Sequence, residues 1–109
     1  MDKLIEISTN CKQAINNGTQ VKLSNGSSKQ FSYTLEDQAN ISEMFTAVLV
    51  GATEYPYHAN EEDCIIYNAT DIITIYSTLT MLKTSHITYH NQLKAYVKSL
   101  DNAQDVLTV

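Results

Sequence analysis

From Ile72 to Leu100 the positions Ile72, Ile75, Leu79, Leu82, His86, Tyr89, Leu93, Tyr96 and Leu100 follow one another at alternating steps of three and four. This is a heptad pattern, and no Gly or Pro interrupts it, so it predicts one long amphipathic helix over about Ala69 to Leu100. At about 1.5 Å of rise per residue such a helix is roughly 48 Å long. A compact chain of this size has a radius of gyration near ~13 Å and hence a diameter of roughly 34 Å. One end of the helix must therefore overhang the globule, or the helix must bend. Its weakest stretch is Lys83-Thr84-Ser85, where poor packing residues coincide and hydroxyls compete for backbone carbonyls. A continuous helix is expected.

The remaining chain supplies smaller elements. Leu4, Ile7, Cys11, Ala14 and Ile15 recur at helical spacing and Gly18 follows as a left-handed cap, predicting a helix over about Asp2 to Asn17. The period then becomes two, with Val21 and Leu23 before an Asn25-Gly26 turn signal and Phe31 and Tyr33 after it, which predicts a β-hairpin. A two-residue loop at Asn25-Gly26 would place Val21 opposite Gln30 and split this apolar set between the two faces. A loop with an odd number of residues keeps Val21, Leu23, Phe31 and Tyr33 together, so a turn with Gly26 left-handed beside a bulge is expected.

Thr34 and Asp37 form a capping pair that opens a second helix, whose stripe is Ile41, Met44, Phe45, Val48, Leu49 and Ala52. Gly51 loosens its end and Pro56 forbids continuation. Tyr55 to Asp63 reads as an irregular loop. Cys64 to Tyr67 reads as a short strand with room to join the hairpin as a third member, and Asn68 with Asp71 opens the last helix. The expected class is α+β: an N-terminal helix, a β-hairpin, an amphipathic helix and the long heptad helix. At 109 residues the chain suits a single domain, 1–109, with its core within about 3–100 and a frayed tail over 101–109.

Composition excludes more than it assigns. The net charge is −5, with seven Lys and no Arg, so a phosphate backbone finds no obvious cationic stripe and nucleic acid is not an expected partner. Without Arg the bidentate grip on carboxylate or phosphate is also missing, which argues against small anionic substrates. No apolar run has the length of a signal peptide or a membrane span. A cytoplasmic protein with no membrane partner is expected, and Asn17, Asn25, Asn40 and Asn68, each in an Asn-x-Ser/Thr sequence, read as turn or cap residues rather than glycan acceptors. In that compartment Cys11 and Cys64 read as small buried apolar groups, not as a disulfide.

Several groups of residues invite chemistry. His86 and His90 lie one helical turn apart, the spacing of two zinc ligands, but the sequence indicates no third ligand and no Glu follows the first His. A seam histidine that sets register is the simpler reading of His86. Cys11, Cys64 and His58 contain the groups for thiol chemistry, yet both cysteines sit in apolar runs that make a thiol inert. Glu61-Glu62-Asp63 lacks the alternate spacing and the bend glycine of a calcium loop. No catalytic residue, metal or cofactor is expected, and the chain reads as a non-enzyme.

Two contact surfaces remain. One is the C-terminal part of the heptad seam, Leu82, His86, Tyr89, Leu93, Tyr96 and Leu100. It is open either to burial within the chain, helped by Ile73, Tyr76, Ile87 and Val97 beside the seam, or to self-association. The other is the aromatic loop Tyr55, Pro56, Tyr57 and His58, which is either a docking surface or a loop pinned to the core by its two rings.

Taken in order, Gly18, Val21, Leu23 and Gly26, then Phe31-Ser32-Tyr33-Thr34 with Asp37, Gln38 and Asn40, Gly51-Ala52, Pro56-Tyr57-His58-Ala59, Cys64 and Thr88-Tyr89-His90-Asn91-Gln92-Leu93 form a set that resembles an uncharacterised domain family encoded in bacteriophage and prophage tail-gene regions. The likeness covers about Lys3 to Leu100. It implies no catalytic residue. It implies a neighbourhood of tail-fibre genes, and with it a tail-associated structural or adaptor protein whose partners are other phage tail proteins or a second copy of itself. The expected location is the virion tail or the cytoplasm of the infected bacterial host. The alternative it implies is a tail-fibre assembly chaperone absent from the mature particle. It also raises the expectation that the Pro56-to-Cys64 loop meets the Thr88-Tyr89-His90-Asn91 patch.

Overall fold

The computed structural model describes residues 3–108, with side chains described through residue 100. Its elements run α1 (Lys3–Asn17), β1 (Thr19–Lys22), β2 (Ser28–Phe31), α2 (Leu35–Leu49), β3 (Glu54–Tyr57), β4 (Ile65–Asn68) and α3 (Ala69–Thr108). The fold is α+β, with three helices and two small antiparallel hairpins.

The first hairpin follows the parity argument. Val21 pairs with Lys29 and Thr19 with Phe31. The ladder closes at Leu23, whose N–H donates to Ser27 O at 2.8 Å, leaving the three-residue loop Ser24-Asn25-Gly26. Gly26 takes φ +88° there, a conformation that favours Gly. Val21, Leu23, Phe31 and Tyr33 consequently share one face and are all buried. Gly18 is constrained twice, by φ +68° and by space, since a Cβ there would lie 1.7 Å from the Phe31 carbonyl oxygen. Its closeness lets the end of α1 meet the hairpin, where Tyr33 N donates to Asn16 O.

The cap of α2 forms as expected: Thr34 Oγ1 accepts from Asp37 N, and Asp37 Oδ2 accepts from Thr34 N at 3.1 Å. Ile41 and Met44 reach the core, but Leu49 is 68 % exposed and does not belong to the stripe. At ~100° per residue it lies about 80° around the helix from Ile41, and the helix ends there.

The region after α2 departs from the sequence reading. Glu54–Tyr57 is a strand, not a loop, and Ile65–Asn68 pairs with it rather than with the first hairpin. The short connection makes the sequence neighbour the cheaper partner in loop-closure entropy. Pro56 is compatible because each strand of a two-stranded sheet has a free edge. Cys64, read as buried, is exposed in the turn before β4, while Cys11 is half-buried; both are free thiols. Asn60 ties the second hairpin to the first, donating N–H to Gln30 O and accepting from Ser32 N.

One core joins these pieces: Ile15 from α1, the inner face of the first hairpin, Ile41 and Met44, Ala59, Tyr67, and Ile72, Ile75 and Leu79 from α3. Asn68 caps α3 through Asp71 N, and buried Asp71 in turn accepts from Ser24 N at 2.8 Å. α3 is continuous through Lys83-Thr84-Ser85. Its backbone stays helical to Thr108, beyond the point at Leu100 where fraying was expected, while the side chains of 101–109 lie outside the described residues. The helix overhangs: the longest dimension is 64 Å and the radius of gyration 18.5 Å, well above the ~13 Å of a compact chain of this length.

Candidate functional site

The heptad seam divides into two parts. Ile72, Ile75 and Leu79 are fully buried beneath α2 and the hairpins. Leu82, His86 and Leu93 are half-buried, whereas Tyr89 is 59 %, Tyr96 61 % and Leu100 46 % exposed. α1 causes the division. It runs antiparallel to α3, with Ile15 in the core beside Leu79 and Cys11 Sγ donating to the His86 carbonyl oxygen at 3.6 Å. α1 lies against the flank that carries Ile87 and His90, so the side carrying Tyr89, Tyr96 and Leu100 stays uncovered.

The His86 and His90 rings stand 5.9 Å apart at 32°, and Tyr89 meets His90 edge-on at 5.0 Å. Among the described residues no group of three His, Cys, Asp or Glu side chains is placed to hold a metal ion. His90 Nδ1 is buried without a hydrogen-bond partner.

The second candidate, Tyr55 to His58, alternates along β3. Tyr55 and Tyr57 turn inward and pack against the core, while Pro56 and His58 are exposed. Tyr57 stacks on Phe31 with centroids 6.1 Å apart and planes at 10°. Burial, helped by the nearby Asp37 carboxylate, pushes its phenol up to about 12, so it is neutral at ordinary pH. Asp37 behaves oppositely: burial raises its carboxyl, but hydrogen bonds from Ser32 Oγ and from Thr34 N and Oγ1 outweigh that and hold it below the usual carboxylate range. The two rings thus pin this strand to the core, and Pro56 and His58 remain as its outward surface beside a hollow of about 250 Å³ that Asn40 and Cys64 also line.

The expected meeting between this segment and the Thr88–Asn91 patch does not occur. The connection after β3 spends its polar groups on the first hairpin, through Asn60 and through the Lys29–Glu62 ion pair of 2.9 Å. That hydrogen bond with Glu62 raises the Lys29 pKa. Thr88 and Tyr89 face solvent, and His90 and Asn91 face α1.

A third feature was not anticipated from the sequence: a groove of about 280 Å³ between α1, the first turn of α2 and α3. Cys11, Ile15, Leu35 and Ile87 supply its apolar surface, and Lys12, Lys83 and Lys94 converge on it. Lys83 Nζ donates to Gln38 Oε1 at 2.6 Å. The only sequence signal was the position of Ile87 beside the seam. Far-apart lysines and an antiparallel helix pair leave no local mark.

Among the described residues no helix is long and apolar enough to cross a membrane. The family described as "Domain of unknown function (DUF4376)" matches residues 1–108, so the chain belongs to that family. No curated protein and no solved structure matches it.

Proposed function

We propose, taking membership of that family as the premise, that this chain is a non-catalytic structural or adaptor protein associated with a bacteriophage tail, acting through protein–protein contacts. The observation that carries the reading is the exposed far half of the α3 seam. Tyr89, Tyr96 and Leu100 stand out from the body of the molecule on a helix that continues to Thr108. Tyr supplies large amphipathic contact area at low entropic cost, and a helix face of this kind docks into a groove or against another helix. The tail context rests on the resemblance carried by the Pro56–Ala59 and Thr88–Leu93 sequences. The partner is another tail protein or a second copy, in the virion tail or in the cytoplasm of the infected host.

Co-expression with neighbouring tail genes, followed by light scattering on the purified product, tests the reading. A stable complex or oligomer that is lost in Tyr89→Ala/Tyr96→Ala is expected. A strict monomer that co-purifies with no tail protein overturns it. Mass spectrometry of purified virions separates an adaptor, which is present, from a fibre-assembly chaperone, which is absent.

A further inference from the structure

We propose that the groove between α1 and α3 binds a small amphipathic carboxylate, an apolar chain ending in one anionic head, with Lys12, Lys83 and Lys94 around the head. This goes beyond the adaptor reading and uses a different face of α3. Composition argues against small anionic ligands, since the chain has no Arg and carries −5 overall. Folding separates the charges. Lys3 and Lys29 are engaged by Glu6 and Glu62. Three of the seven lysines instead meet at one groove, and among the described residues no Asp or Glu lines it. Among the described residues neither Lys12 nor Lys94 has an ion-pair partner, and Lys83 bonds only a neutral amide.

The wall beneath the cations is apolar and incompletely covered. Leu35, at the first position of α2, is 72 % exposed, and Ile87 is 39 % exposed, so an alkyl chain lying against them would remove apolar area from water. The volume of about 280 Å³ stands at the foot of the ~300–1,000 Å³ range of small-molecule sites, which fits a short chain rather than a folded partner. Lysines act as separate point charges and do not need the planar fork that a bidentate arginine site requires.

The test is an amide-resonance titration of the intact chain with octanoate, and in parallel with octan-1-ol, which has the same apolar body without the charge. Saturable shifts centred on Cys11, Ile15, Leu35 and Ile87 are expected. Octan-1-ol should bind about tenfold more weakly or worse, as should octanoate to Lys83→Glu/Lys94→Glu, because the attraction between carboxylate and ammonium is lost in each case. Lys12→Glu, on an exposed face of α1, should weaken octanoate in the same direction and covers the case in which the double variant misfolds. Absence of saturation, equal binding of alcohol and acid, or shifts centred on Tyr89, Tyr96 and Leu100 with Cys11, Ile15 and Leu35 unmoved overturns the proposal. So does a change in sedimentation coefficient of the lysine variants with unaltered octanoate affinity, which would make the groove a contact between copies.

Discussion

The two halves of α3 carry the same heptad and meet different surroundings. Ile72, Ile75 and Leu79 are sealed beneath α2 and two hairpins, while Tyr89, Tyr96 and Leu100 extend past the body with α1 along one flank only. The residue types change with the burial. The near half uses aliphatic side chains that fill a dry core, and the far half mixes three Leu with His86, Tyr89 and Tyr96, whose polar tips tolerate water when no partner is present. A heptad therefore records that a helix has a coherent face. It does not record whether that face is covered by its own chain.

The sharpest way to break the comparison is a large-to-small change in the near half. Ile75→Ala should destabilise the fold by about 2–5 kcal/mol, measured by urea denaturation, because a fully buried side chain leaves a cavity among packed neighbours. A loss below ~1 kcal/mol would mean that the near half is covered no better than the far half. Removing the cap that starts the helix is the next largest effect. Asn68→Ala should cost about 1 kcal/mol, since Asp71 N loses its acceptor.

Acid probes the frame around the near half. The folded Asp37 carboxyl lies below its unfolded value, so the stabilisation is fully present above the unfolded carboxylate range and disappears as pH falls through the folded value. The urea midpoint should accordingly fall as pH drops below the unfolded carboxylate value of about 4, and fall less steeply in Asp37→Asn. Equal slopes in the two proteins would remove Asp37 from the account. The smallest effect on stability belongs to the far half. Tyr96→Ala should change the unfolding free energy by no more than about 0.5 kcal/mol, while weakening any complex that uses the seam. Hydrogen exchange gives the same contrast without mutation, with slow amides around Ile75 and faster ones after Leu93 until a partner binds.

Much of the fold was legible because its determinants are local. The Thr34–Asp37 pair announced the start of α2, Asn68 and Asp71 announced that of α3, and the face shared by Val21, Leu23, Phe31 and Tyr33 required a loop of odd length. The misreadings share a cause. Pro56 reads as a breaker in sequence and hides the alternation of Tyr55 and Tyr57 along β3, and the hairpin to which β4 belongs is not legible because pairing depends on what lies near in space. Cys64 looked buried in an apolar run because periodicity over so few residues does not show which side faces in. Of the candidate surfaces, the seam residues were identified by spacing alone, and the inward anchoring of Tyr55 and Tyr57 was one of two open readings.

What the sequence by itself determined was the set of helices, the first hairpin with its register, and a C-terminal helix too long for the body that carries it. These follow from caps, parity and periodicity, which act over a few residues. Only the tertiary structure decided where α1 lies, and with it which half of the seam is buried and which three lysines share a groove. Contacts such as that of Cys11 with the His86 carbonyl join residues far apart in the chain, and no short-range pattern encodes which distant surface will win the competition to cover an apolar face.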